Sequence, residues 1–278
     1  METFFSFLER RIDDCSSLLC IGLDPHVADL AHPTAEAAQE YCLELVRQTA
    51  PYAAAFKPNA AFFEQFGSRG WSALHKVIEA VRDESHRRGS LIPVILDAKR
   101  GDIASTAEAY AQAAFVKLGA HCITLSPYLG RDSIDPFLPD QEKGVFLLCK
   151  TSNPGSGDLQ DLLLEGGELL YERVARLAQS WNTRGNIGLV VGATHPQALA
   201  RVRAAAPGMW FLSPGVGAQG GDLETALRAG LRKDGKGMLL PVSRGVSRAN
   251  NPALAAAELR DEIMYLTSQL KHSVAPQQ

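Results

Sequence analysis

The sequence contains no long hydrophobic run. No stretch reaches the roughly 20 apolar residues needed to cross a bilayer. The opening METFFSFLERR has too short an apolar run for a secretory signal, and its charges follow that run instead of preceding it. Blocks of basic residues are also missing. Lys and Arg number 28 against 31 Asp and Glu, and they are scattered, so a nucleic-acid or membrane-surface partner is not indicated. The five cysteines (15, 20, 42, 122 and 149) form no C-x-x-C pair and no zinc spacing. Cys20, Cys122 and Cys149 lie in apolar runs, which predicts buried free thiols and suits a reducing cytoplasm. Finally, no linker rich in Pro, Gly or Ser is long enough to divide the chain. The expectation is one domain over residues 1–278, with a short N-terminal helix over Glu2–Arg11 and a disordered C-terminal tail.

What the sequence does have is rhythm. Short apolar runs predict strands at Leu18–Leu23, Ala53–Phe56, Leu91–Leu96, His121–Leu125, Val145–Cys149, Ile187–Val191, Met209–Leu212 and Gly237–Val242. Between them lie segments of helical period, at Pro33–Thr49, Trp71–Arg88, Gly167–Trp181 and Asn251–Leu270 among others. The run Gly67-Ser68-Arg69-Gly70 is expected to split a short helix, Ala60–Phe66, from the next. Eight strands alternating with helices imply parallel pairing through crossovers, and eight repeats in this length fit an α/β fold of the (β/α)8 TIM-barrel type. The competing doubly wound sheet would carry G-x-G-x-x-G after its first strand, where this chain has Gly22-Leu23-Asp24-Pro25.

The densest chemistry lies in Leu91–Tyr110, LIPVILDAKRGDIASTAEAY. An apolar strand runs into Asp97, Lys99 and Asp102, with Gly101 as the turn. Residues two apart on a strand share a side, so Asp97 and Lys99 should face together. Carboxylates on either side keep an ammonium charged. The bland alternative is a solvated loop with a weak surface ion pair. Ser105-Thr106-Ala107-Glu108 has the form of a capping box, with Ser105 as N-cap of a helix to about Leu118 that Gly119 closes.

Other strand ends add Asp24, Lys57, Ser126, Ser152, Gln219 and Arg244. Each has an ordinary explanation: Asp24 can cap a turn, Lys57 can snorkel, and Ser126 is read as a strand-end cap. In a barrel, however, all of them would gather on one rim. Four glycines in Gly215–Gly221 free backbone N–H groups for an anion, or make a lid. Arg244, just past the eighth strand, has the planar donor fork that suits phosphate.

These residues carry a resemblance. Asp97-Ala-Lys99-Arg-Gly-Asp102-Ile103 followed by Thr106, with Lys57 upstream and Pro214-Gly-Val-Gly-Ala-Gln219-Gly-Gly downstream, is similar to the orotidine 5′-phosphate decarboxylases, most of all their longer bacterial branch. The similarity runs from Asp24 to Arg244. It implies decarboxylation of orotidine 5′-phosphate to UMP with no metal and no cofactor. By likeness, Lys99 protonates C6, Asp97 lies by the departing carboxylate, and Lys57 and Asp24 hold the ribose and the charged network. Asp102 and Thr106 reach into a partner's site, which implies a homodimer with shared active sites, and Ile103 contacts the substrate. Ser152 meets the pyrimidine, Gln219 bridges base and phosphate, Pro214 lines the site and Arg244 grips the phosphate. Where the family often has glycine, this chain has Ser243. Two other readings share these motifs: a magnesium-dependent sugar-phosphate decarboxylase or aldolase, and a phosphate-binding barrel without activity.

Overall fold

The structure is a computed structural model that describes residues 2–216 and 222–273. Gln219 and the expected C-terminal tail beyond residue 273 lie outside the described residues. Eight strands alternate with helices as the sequence predicts: β1 Leu19–Leu23, β2 Ala55–Pro58, β3 Ile95–Arg100, β4 Cys122–Leu125, β5 Gly144–Lys150, β6 Ile187–Val191, β7 Phe211–Leu212 and β8 Met238–Val242. They form one sheet in the order β2-β1-β8-β7-β6-β5-β4-β3. Every paired neighbour is parallel. Parallel bridges Phe56↔Val94 and Asn59↔Asp97 join β2 to β3 and close the circle as a (β/α)8 barrel.

The strands are almost wholly apolar and buried, because the barrel interior covers one face and the helices the other. Phe56, Phe146, Phe211 and Leu19 are all fully buried in this core. The helix Phe4–Cys15 runs across the end of the barrel opposite the functional rim. Phe5 stacks on Trp210, with ring planes 3° apart, and meets Phe146 edge-on. A Cβ on Gly144 would run into the Phe4 ring, so the close approach of this helix requires glycine there. Each buried phenylalanine contributes roughly 1.5–3 kcal/mol. The expected Glu2–Arg11 helix therefore starts later, after a Thr3 cap, and runs one turn further to bury Ile12 and Cys15.

Three local expectations are corrected. The expected break is present but falls earlier: Ala61–Glu64 and Gly67–Arg88 are separate helices, the chain turns at Gln65–Phe66 with Gly67 at φ +62°, and residues 68–70 lie inside the second helix. Gly70 packs so closely on the Phe63 carbonyl that no side chain fits, and this packing, not flexibility, is the reason for glycine. β3 is shifted toward the charged residues, Ile95–Arg100 instead of Leu91–Leu96. Its polar end remains strand because the Thr124 hydroxyl on β4 accepts from the N–H groups of Ala98 (3.0 Å) and Lys99 (2.9 Å). The Ser105 capping box does not form. The helix Ala104–Ala111 has Ile103 at the cap position with no side-chain cap, and Ser105 and Glu108 are exposed. That helix continues through Gln112–Lys117 to Leu118, and Gly119 ends it at φ +72° as expected. Ser126 caps nothing with its side chain. The five cysteines are free and buried, as expected for the three in strands.

His121, just before β4, accepts the Val94 N–H on Nδ1 at 3.1 Å. Burial, then Lys143 and Arg82, lower its pKa from 6.5 to about 4. Above pH 6.5 the ring is neutral folded or unfolded, and it costs nothing. Below that, the unfolded chain takes up the proton and the folded one does not, so stability falls between about pH 6.5 and 4 and then levels. The full loss is roughly 3 kcal/mol. The variant His121→Asn keeps an acceptor near Nδ1 but cannot titrate. Thermal midpoints measured across this range should fall less steeply in the variant than in the parent; parallel curves would exclude His121 as the cause.

Candidate active site

The C-terminal ends of the strands form two adjoining cavities. The first, about 340 Å³, is lined by Asp24, His26, Phe62, Ser243 and Arg244. The second, about 500 Å³, is lined by Asp97, Lys99, Thr124, Ser152 and Gln160. Lys57, Pro214 and Pro241 border both, so the two make one bent cleft.

Asp97 is the centre of this cleft. Its Oδ2 accepts from Lys57 Nζ at 2.9 Å and its Oδ1 from Lys99 Nζ at 2.6 Å. The Thr124 hydroxyl donates to the same Oδ1 at 3.0 Å. Lys57 is 8% exposed and Asp97 9%, so this is a buried ion pair, and Lys57 does not snorkel to the surface. Burial works against the Lys57 ammonium, but Asp97 and then Asp24 outweigh it and hold its pKa above the usual lysine range. Burial likewise works against the Asp97 carboxylate, and Lys57 and Lys99 together hold it well below the usual carboxylate range. Both groups stay charged at neutral pH.

Lys99 differs from Lys57 in that its side chain is 49% exposed, with its ammonium anchored at Asp97 and open to the second cavity. Asp97 and Lys99 do face together, but not by plain alternation. The β3–β4 register shifts between Leu96 and Arg100, and Lys99 takes φ +48°. This bulge turns the lysine toward its own aspartate, as bulges at functional rims often re-aim a side chain.

On the first cavity, Gly22 on β1 approaches β8 closely. A Cβ there would sit 2.8 Å from Ser243 Cβ and 3.1 Å from Asp24 Oδ2, so the strand must be bare at that point. Among the described residues, Asp24 Oδ1 and Ser243 Oγ are buried without a hydrogen-bond partner. Arg244 is exposed, lines this cavity, and forms no ion pair with the described residues. Ser152 and Pro214 lie on the cleft as the sequence suggests.

Asp102, Ile103 and Thr106 are not brought to this cleft within one chain. The Asp102 carboxylate accepts the Ile103 N–H at 2.8 Å, and Ile103 is 52% exposed. Thr106 is exposed on the helix that follows. Sequence reasoning overlooked Thr124, which organises both Asp97 and the Lys99 backbone. The available signal was a hydroxyl in the buried apolar run Cys122–Leu125, where an unpaired polar group would be costly. It also overlooked Gln160, for which no signal existed. Among the described residues, no group of three or more His, Cys, Asp or Glu side chains is placed to hold a metal, and no helix is long and apolar enough to cross a membrane.

Comparison with known proteins agrees with this geometry. A family model described as orotidine 5′-phosphate decarboxylase / HUMPS family matches residues 17–259. The protein of Roseiflexus castenholzii named orotidine 5′-phosphate decarboxylase is 50% identical over 271 residues, which cover 94% of this chain and 97% of that one. A structure of Leishmania donovani OMP decarboxylase aligns with a TM-score of 0.87 and 55% identity, covering 96% of this chain and 99% of that one. The UMP synthase structure from the same organism aligns with a TM-score of 0.88 and 57% identity, and this chain spans 57% of its length. With its barrel, its Asp97–Lys99 rim and a match running through to the closing helix, the chain belongs to the orotidine 5′-phosphate decarboxylase / HUMPS family.

Proposed function

We propose that the cleft decarboxylates orotidine 5′-phosphate to UMP, with Lys99 as the proton donor to C6. The observation that carries this reading is the buried Asp97 carboxylate held between two ammonium groups at the base of the second cavity. Cleavage of the C6–carboxylate bond leaves the electron pair on C6 and releases CO2. A preformed cation beside that carbon stabilises the charge as it develops, without reorganisation of solvent. Lys99 then gives its proton to C6 and recovers one from water. Asp97 keeps the Lys99 ammonium fixed, and its own charge lies near the departing carboxylate. Lys57, at the junction of the cavities and in the field of Asp24, serves with Asp24 to hold the ribose.

The bent shape of the cleft suits a nucleotide. Arg244 and the Gly215 end of the loop after β7 hold the phosphate in the first cavity, and Ser152 bonds the pyrimidine amide in the second. Pro214 separates the two, and Gln219 is assigned to bridge base and phosphate. Phosphate binding far from C6 supplies energy for positioning the base. Asp102, Ile103 and Thr106 act in the site of a second copy, so the working unit is a homodimer. The exposed apolar side chains of Ile103 and Tyr128 on the same rim support that assembly. The buried free thiols suit a cytoplasmic enzyme.

The reading is tested by following loss of orotidine 5′-phosphate by ultraviolet absorbance. Because Lys99 already supplies the positive charge at the reacting carbon, activity should be the same before and after dialysis against EDTA. Activity lost and then restored by magnesium would move the chain to the sugar-phosphate branch of its family.

Arg244→Ala removes a charge-assisted contact worth roughly 1.5–3 kcal/mol. The value of kcat/KM for orotidine 5′-phosphate should drop at least about tenfold. Orotidine, which lacks the phosphate, should be turned over equally by parent and variant. A matching loss on both would show that Arg244 does not contact the phosphate.

The shared site is open to complementation. Lys99→Ala and Asp102→Ala should each be nearly inactive. Mixed and allowed to exchange, half the dimers become heterodimers with one doubly defective and one intact site, so about a quarter of the parent activity should return. No recovery despite demonstrated exchange would mean that Asp102 acts within its own chain.

A further inference from the structure

Ser152 has no hydrogen-bond partner among the described residues; it packs on the bare Gly192 just after β6, and its place in the second cavity is otherwise set by what holds the chain on either side of it. That chain leaves β5 at Lys150, makes a short turn at Pro154–Ser156 and one helical turn at Gly157–Gln160, and is tied to itself at both ends. Lys150 Nζ lies 2.7 Å from Asp161 Oδ1, donates to Asp161 Oδ2 at 2.8 Å, and reaches Ser156 Oγ at 3.2 Å. Gln160 accepts the Thr151 N–H on Oε1 at 2.8 Å and donates from Nε2 to Thr151 Oγ1 at 2.9 Å. Thr151 Oγ1 in turn donates to Asn153 Oδ1 at 2.6 Å.

The ion pair is asymmetric. Lys150 is 3% exposed, whereas the Asp161 side chain is 47% exposed. A buried ammonium is costly unless paired, so Lys150 draws Asp161 in from the surface and with it the end of the loop. Neither residue faces the cleft. Both border a separate outer cavity with Tyr171, Thr194, His195 and Arg201. Any effect they have on the reaction must therefore pass through the loop.

We propose that the Lys150–Asp161 pair is a positioning device that fixes the loop 151–160 against the second cavity and so determines where Ser152 meets the pyrimidine. This rests on the assignment of Ser152 to the base. Misplacement of a binding group by about 1 Å can cost up to a hundredfold in rate.

The test compares two inhibitors: UMP, which has a base, and ribose 5-phosphate, which has none. Asp161 is half exposed, so Asp161→Ala should fold, and circular dichroism checks that it does. The variant should raise the inhibition constant of UMP about tenfold and leave that of ribose 5-phosphate within about twofold. Asp161→Glu, which restores the charge, should return UMP binding to within about threefold of the parent. Asp161→Asn, isosteric and uncharged, gives the same selectivity at smaller size and covers the case in which the alanine variant is unstable. A merely structural role would move both inhibitors together, and that result, or an unchanged UMP constant in folded protein, overturns the proposal. Ser152→Ala separates the inference from its premise. A base-selective loss in Ser152→Ala with none in Asp161→Ala refutes the positioning role alone. The reverse pattern upholds the pair's role and transfers the base contact to another residue of the loop.

Discussion

Everything at the rim depends on a carboxylate that cannot leave its place. Asp97 is buried, charged, and bonded to two ammonium groups and a hydroxyl. Losing Lys57 would leave an incompletely compensated charge in the interior, at a cost of about 3–5 kcal/mol for a buried pair. The arrangement is therefore weak as a source of stability and strong as a source of order. It fixes the Lys57 and Lys99 ammonium groups on opposite oxygens of one carboxylate, and so defines where positive charge can lie in the cleft. The φ +48° at Lys99 is part of the same bargain: a sparsely populated backbone conformation persists because the ion pair and Thr124 together determine it.

The two cavities divide the labour between them. The first, with Arg244 and an uncompensated Asp24 oxygen, is built largely from the ends of β1 and β8. The second takes Lys99, Thr124 and Ser152 from the ends of β3, β4 and β5 and apolar walls from β6, β7 and β8. Lys57 on β2 belongs to both and electrically joins them, since its charge is supported by Asp97 on one side and Asp24 on the other. Barrel geometry makes this possible because every strand delivers its last residue to the same rim, whatever its position in the chain.

Most of this was legible in the sequence. Eight apolar runs located eight strands to within a few residues, because strands buried on both faces leave little room for polar side chains. Asp24, Lys57, Asp97, Lys99, Ser152, Pro214 and Arg244 stood out as polar or rigid residues at the ends of those runs, and all line the cleft. What could not be read depends on packing between distant segments. The charged end of β3 looked like loop, since nothing local shows that Thr124 would satisfy its backbone. Ser105 looked like a cap, but the chain enters that helix two residues earlier, with Ile103 at the cap position. Gly67 and Gly70 looked like one break; the turn falls just before Gly67, but Gly70 lies inside the following helix, bare to admit the Phe63 carbonyl. Asp102, Ile103 and Thr106 do not line the cleft of the single chain, and nothing local to their sequence shows this.

The helix Phe4–Cys15 has a consequence for traffic. Its phenylalanines seal the far end of the barrel against Phe146 and Trp210, and the strands between are packed solid with apolar side chains. Among the described residues, the site is thus a well closed at its base. The nucleotide, the gas and the product nucleotide all pass the rim, since among the described residues apolar packing fills the barrel axis behind the site.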